Sequence, residues 1–193
     1  MDCKIECSGL WYILLAVLCL VVPLPWVLSA LIAGLVHEAG HILAVILAKG
    51  SIHSVYIGAG GAIMESSPLN PPWELVSILA GPVCSFSLMM VCDIWPRIAL
   101  CGLIQGLYNM LPIYPLDGGR VLACLTETLF RPDAAKKVCG LIKCITIFLI
   151  VTGSLWGGMR YNLGIAPILS SAIFLSTFLQ GKISCKERQQ AVQ

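Results

Sequence analysis

The sequence predicts an all-α polytopic membrane protein, with about six transmembrane helices and a small membrane-associated β-hairpin after the second. Three observations predict it. Hydrophobic residues make up 58% of the 193 residues and charged residues only 11%, whereas a soluble domain carries about 25% charged residues. The apolar residues are gathered into runs long enough to cross a bilayer, broken by proline, glycine and charge. One polar stretch between runs has a strand-like pattern around glycines. A water-soluble globule, a disordered chain and a nucleic-acid binder are excluded: the net charge is only +2 and no basic stripe exists to hold phosphates.

The elements follow in order. Leu10 to Val22 is the first apolar run, and Pro23-Leu24-Pro25 breaks it. At 13 residues it rises only about 20 Å against a hydrocarbon core of about 30 Å. A signal peptide is the rival reading, rejected because the next run, Trp26 to Ala48, follows almost at once. Lys49 to Pro72 is the longest polar stretch. Within it Ile52, Val55, Ile57 and Ile63 with Gly58, Gly60 and Gly61 suggest two short strands around a glycine turn, with a plain cytoplasmic loop as the alternative. Trp73 to Cys92 is a third span, Asp93 to Arg97 a turn, and Ile98 to about Ile113 a fourth span. Val121 to Phe130 is read as a short interfacial helix and Arg131 to Lys137 as a polar connection. Val138 to Trp156 and Asn162 to Gln180 are the last two spans, joined by Gly157 to Tyr161. Residues 1–180 thus form one integral membrane domain and 181–193 a short charged tail.

Six spans put both termini on one side, and the positive-inside rule chooses which. With a cytoplasmic N-terminus, the inner segments hold Lys4, Lys49, Arg120, Arg131, Lys136, Lys137, Lys182, Lys186 and Arg188, and the outer ones hold Arg97 and Arg160. Both termini are therefore expected in the cytoplasm. Most of the ten cysteines lie in or beside apolar runs and no Cys-x-x-Cys occurs, so they read as small hydrophobes rather than a disulfide framework. A Cys3–Cys7 metal or redox pair is a minor alternative.

The chemistry is concentrated in His37-Glu38-Ala39-Gly40-His41. On a helix, positions i and i+4 share a face about 6 Å apart, so two imidazoles can bind one zinc ion. Glu38 projects to the adjacent face, where it can take a proton from water activated at the metal. Ionisable residues are costly in a membrane helix, at about 2.5–3.5 kcal/mol for a central charge, so three of them within five positions point to function. Catalytic zinc has three protein ligands and an open position. The third ligand is sought at membrane depth, where Asp117 in Leu116-Asp117-Gly118-Gly119 is the best candidate. Spans two and four both run inward, which delivers Asp117 to the level of the histidines. Pro112 and Pro115 stop the fourth helix. Asn109, two helical turns before Asp117, reads equally as a hydrogen-bond donor to a substrate carbonyl or as polar glue between helices. Gly81-Pro82 suggests a kink near the site, and His53 a solvated loop histidine.

These residues resemble the site-2 protease family of intramembrane zinc metalloproteases. The likeness rests on His37 to His41 and on Asn109-Met110-Leu111-Pro112-Ile113-Tyr114-Pro115-Leu116-Asp117-Gly118-Gly119, which is similar to the family's Asn-Pro-Leu-Asp-Gly signature. Ala80-Gly81-Pro82 sits where the family has a Gly-Pro. Within the family, the short first span and the glycine loop resemble the sporulation branch, which processes a membrane-tethered sigma-factor precursor. That branch often carries a C-terminal CBS domain, and none is expected here. The resemblance implies that His37, His41 and Asp117 ligate Zn2+, that Glu38 activates water and that Asn109 helps to hold substrate. It implies that the 51–66 loop pairs with an unwound substrate. The expected partners are a membrane-tethered protein substrate, the lipid bilayer and a membrane regulatory protein, in a bacterial cell membrane. Two rival readings remain open: a catalytically silent relative that binds membrane helices, and a divalent-metal transporter.

Overall fold

The computed structural model describes residues 4–58 and 61–161. They divide into two compact units, with the boundary between Met110 and Leu111. In the first, strand β1 (Lys4–Cys7) leads into helix α1 (Gly9–Val21), followed by α2 (Leu24–Leu47), strands β2 (Ile52–Gly58) and β3 (Gly61–Ser66), α3 (Pro71–Ser87) and α4 (Pro96–Asn109). A 3-10 turn, Leu88–Val91, extends α3. The second unit contains α5 (Asp117–Leu129) and α6 (Pro132–Tyr161).

The helix ends follow local rules. Ser8 caps α1, its hydroxyl accepting from the Trp11 amide at 3.2 Å. Prolines stand in the first turns of α2, α3 and α4, where a missing N–H costs nothing. Helix α2 ends in a Schellman motif: Lys49 N–H donates to the Ile46 carbonyl and Gly50 N–H to the Val45 carbonyl, both at 2.9 Å. Lys49 itself takes the left-handed conformation, with φ 57°.

The glycine-rich stretch forms the expected hairpin. Strand β2 pairs antiparallel with β3, from Ile52↔Ser66 to Gly58↔Gly61, with a bulge between Ile52 and Ser54. A third strand, not foreseen, adds to it: β1 runs parallel to β2 in the register Lys4↔Ser54 to Cys7↔Ile57. Cys3, half of the suggested Cys3–Cys7 pair, lies outside the described residues.

Three helical stretches among the described residues are long and apolar enough to cross a membrane: Leu24–Leu47, Pro71–Val91 and Pro132–Arg160. Helices α1 and α4, with 13 and 14 residues, rise only about 20 Å each. The fourth apolar run therefore forms a shorter helix than expected, ending at Asn109 rather than near Ile113. Two connections are corrected. Arg131 to Lys137 is not a loop: all but Arg131 belongs to the start of α6, where Pro132 and Asp133 suit a first turn. Gly157 to Tyr161 continues the same helix. The expected sixth span and the 181–193 tail lie outside the described residues.

Burial in the first unit suits lipid surroundings. Leu20 and Met90 are 86% and 87% exposed, while Ser29, His37, His41, Ser77 and Ser85 are buried. Apolar side chains outside and hydrogen-bonded polar ones inside are what a bilayer rewards, since lipid cannot satisfy a polar group. Helices α2 and α3 approach closely at Gly40, where a Cβ would lie 2.6 Å from the Ala80 carbonyl oxygen and 2.8 Å from Cys84 Sγ.

Candidate metal centre

Helix α2 is continuous through the motif, so His37 and His41 share the face turned toward α3. Both are buried, at 2% and 7% exposure. Their rings meet edge to plane, at 82° with centroids 4.9 Å apart. The two Nε2 atoms are 3.2 Å apart. The outer nitrogens are held by α3: His41 Nδ1 lies 2.7 Å from the Ser77 carbonyl oxygen, and His37 Nδ1 lies 2.9 Å from Ser85 Oγ. A Cβ on Gly81 would run into the His41 imidazole, so that glycine clears the space the ring occupies. Pro82 lies inside α3, which runs as one helix from Pro71 to Ser87.

This arrangement fits a zinc ion. A carbonyl oxygen only accepts, so His41 Nδ1 carries the hydrogen and Nε2 presents a lone pair. That lone pair faces the corresponding nitrogen of His37. The Nε2 separation of 3.2 Å is close to the ~3.3–3.4 Å edge of a tetrahedron with zinc–nitrogen bonds of about 2.0–2.1 Å. Buried imidazole nitrogens whose far sides are hydrogen-bonded are the usual protein half of such a site. Glu38 follows His37 and is half-buried. Asn109 is the last residue of α4, also half-buried. It is not on one helix with Asp117, because the chain leaves helical geometry at Met110 and re-enters at Asp117.

In the second unit, Asp117 is the first residue of α5 and is 6% exposed. Leu116 precedes it in an extended conformation and accepts the Arg120 amide at 3.0 Å. A carboxylate at a helix N-terminus is favoured by the helix dipole, and the Arg120 guanidinium approaches it at 3.7 Å. Gly119 packs against the Ile113 carbonyl and the Tyr114 amide, where no side chain fits. The Tyr114–Pro115 bond is cis. His53 is exposed on β2, beside Ser51 Oγ at 3.5 Å, and takes no part in the histidine pair.

Ser77 and Ser85 are the residues the sequence reading passed over. Their signal was available: Ser77, Gly81 and Ser85 recur every fourth position, so one face of an apolar helix is small and polar.

The fold and the site define a membrane-embedded helical protein with a buried, metal-competent histidine pair. Comparison with known proteins narrows this class. Residues 76–153 match the family model described as Peptidase family M50; that stretch includes Asn109 and Asp117 but not the histidine motif. A curated relative from Synechocystis sp., the protein sll0528, provisionally named a zinc metalloprotease, is 34% identical over 122 residues. The match covers 51% of this chain and 32% of the relative, so the chain spans about a third of that protein. The structure has the fold of the Site-2 Protease from Methanocaldococcus jannaschii, with a TM-score of 0.65 and 20% identity over 89% of this chain and 86% of that one. A segment similar to Peptidase family M50 and the fold of a site-2 protease thus agree with the likeness carried by the paired motifs.

Proposed function

We propose that this protein hydrolyses a peptide bond in or near a transmembrane segment of a membrane-tethered protein and releases a cytoplasmic fragment. The observation that carries the reading is the buried Nε2–Nε2 pair of His37 and His41 at 3.2 Å with Glu38 between them in sequence. His37, His41 and Asp117 hold the ion. Three ligands, two neutral and one anionic, leave a position open for chemistry. When bound there, zinc supplies Lewis-acid polarisation of the scissile carbonyl and acidification of water. Glu38 takes the proton of the attacking water and delivers it to the leaving amine. Asn109 donates a hydrogen bond to the substrate backbone.

A transmembrane substrate must unwind before its carbonyls are accessible. The β2–β3 hairpin offers a strand edge that pairs with the unwound segment. The orientation with both termini in the cytoplasm follows from the distribution of lysine and arginine, and a sigma-factor precursor is the substrate suggested by the resemblance to the sporulation branch. The test uses purified protein in detergent with a single-span substrate. Cleavage should be lost on chelation and restored by zinc, with about one zinc per chain. Folded protein that contains no zinc sinks the metalloprotease reading. Zinc flux across vesicles, with no cleavage of any substrate, favours a transporter.

A further inference from the structure

Helix α4 carries a second carboxamide, Gln105, one turn before Asn109. At positions i and i+4 the two share one face of the helix. Gln105 reaches α2: a Cβ on Gly34 would lie 3.7 Å from its Nε2 and 4.0 Å from its Oε1. One turn beyond Gly34, α2 carries Glu38. A glutamine in an apolar helix is ordinarily held by a hydrogen bond to a neighbouring helix. Here α2 offers only Gly34, which has no side chain, and the Gln105 amide bonds to no other described residue. The Asn109 amide is likewise without a hydrogen-bond partner among the described residues. Both residues are half-buried. No fully buried side-chain nitrogen or oxygen among the described residues lacks a partner, so both amides are accessible at the surface of the described structure.

The chemistry of the two amides defines what they would hold. A carboxamide combines an acceptor oxygen with N–H donors, the same set as a peptide group. An unwound transmembrane segment presents peptide groups that lipid cannot satisfy. The helical rise from Gln105 to Asn109 is about 6 Å. Peptide groups on one edge of an extended strand recur every second residue, at about 6.4–6.8 Å. We propose that Gln105 is a further substrate-binding residue: with Asn109 it holds the main chain of an extended substrate at two peptide groups, two residues apart. A grip on the main chain reads no side chain, so it selects segments that unwind rather than one sequence. This inference deepens the proposed function and rests on it.

The test uses the purified chain in detergent with synthetic single-span substrates, in which peptide bonds are replaced one at a time by esters. Each ester removes one backbone N–H. Gln105→Met keeps the length of the side chain and removes the amide. It should raise KM about tenfold with a smaller change in kcat, the pattern of a lost binding contact. Gln105→Asn should recover part of that loss. One ester position should weaken cleavage by wild type about tenfold and by Gln105→Met hardly at all, because the contact it removes is already gone. Bound zinc should match wild type in both variants. Wild-type KM in folded Gln105→Met overturns the inference and leaves the protease reading standing. A raised KM with no ester position that spares the variant does the same, since Gln105 then acts only in the packing of α4. So does a raised KM that accompanies lost zinc. If Gln105→Met fails to fold, Gln105→Ala is read in the same way. If wild type cleaves no substrate, the inference falls together with the proposed function.

Discussion

His37 and His41 face each other Nε2 to Nε2 at 3.2 Å, with their ring planes 82° apart. The helix supplies the i, i+4 spacing, but the ring orientations come from α3, and Gly81 makes room for His41. Gly81→Ala should therefore push the His41 ring aside. The expected result is a loss of zinc affinity of at least about tenfold, with a stability cost of about 1–3 kcal/mol for the overpacked side chain. Zinc titration of the folded variant checks this, and wild-type affinity would show that the clearance at Gly81 is unimportant.

Asp117 is a buried carboxylate at the start of α5. As the proposed third ligand it should matter for retention of the ion rather than for the fold. Asp117→Ala is predicted to reduce bound zinc well below one per chain after dialysis against a weak chelator, with helical content unchanged. Retention of a full zinc complement would remove Asp117 from the ligand set.

Lys49 adopts φ 57° to close the Schellman motif of α2. A left-handed conformation costs a side-chain-bearing residue about 1–2 kcal/mol, and glycine pays none of it. Glycine's greater freedom in the unfolded chain offsets part of the gain. Lys49→Gly should raise stability by up to about 1 kcal/mol, read from unfolding in mixed detergent. A loss of stability would show that the lysine side chain has a compensating role at that helix end.

Much of the site was legible because its residues are local. His37, Glu38 and His41 fall within five positions of one helix, and the hairpin was marked by Gly58, Gly60 and Gly61. The strand β1 was not legible: Lys4 to Cys7 mixes charge with apolar residues, and its partner β2 lies beyond two helices. The start of α6 was hidden by the charges of Arg131 to Lys137, which suit a loop and an exposed helical turn equally well. Ser85 was missed because its partner is 48 positions away, and a serine in an apolar run does not announce which ring it holds. The spacing of Asn109 from Asp117 was read as two helical turns, but the chain from Met110 to Leu116 is not helical.

The central claim is that Glu38 moves the proton at a site whose ion is held by other residues. The most direct test compares wild type with Glu38→Gln on a single-span substrate, with bound zinc measured in the same samples. The account predicts that Glu38→Gln keeps about one zinc per chain and loses cleavage by about 10²- to 10⁴-fold, the usual contribution of a general base. Cleavage at the wild-type rate by Glu38→Gln would contradict it.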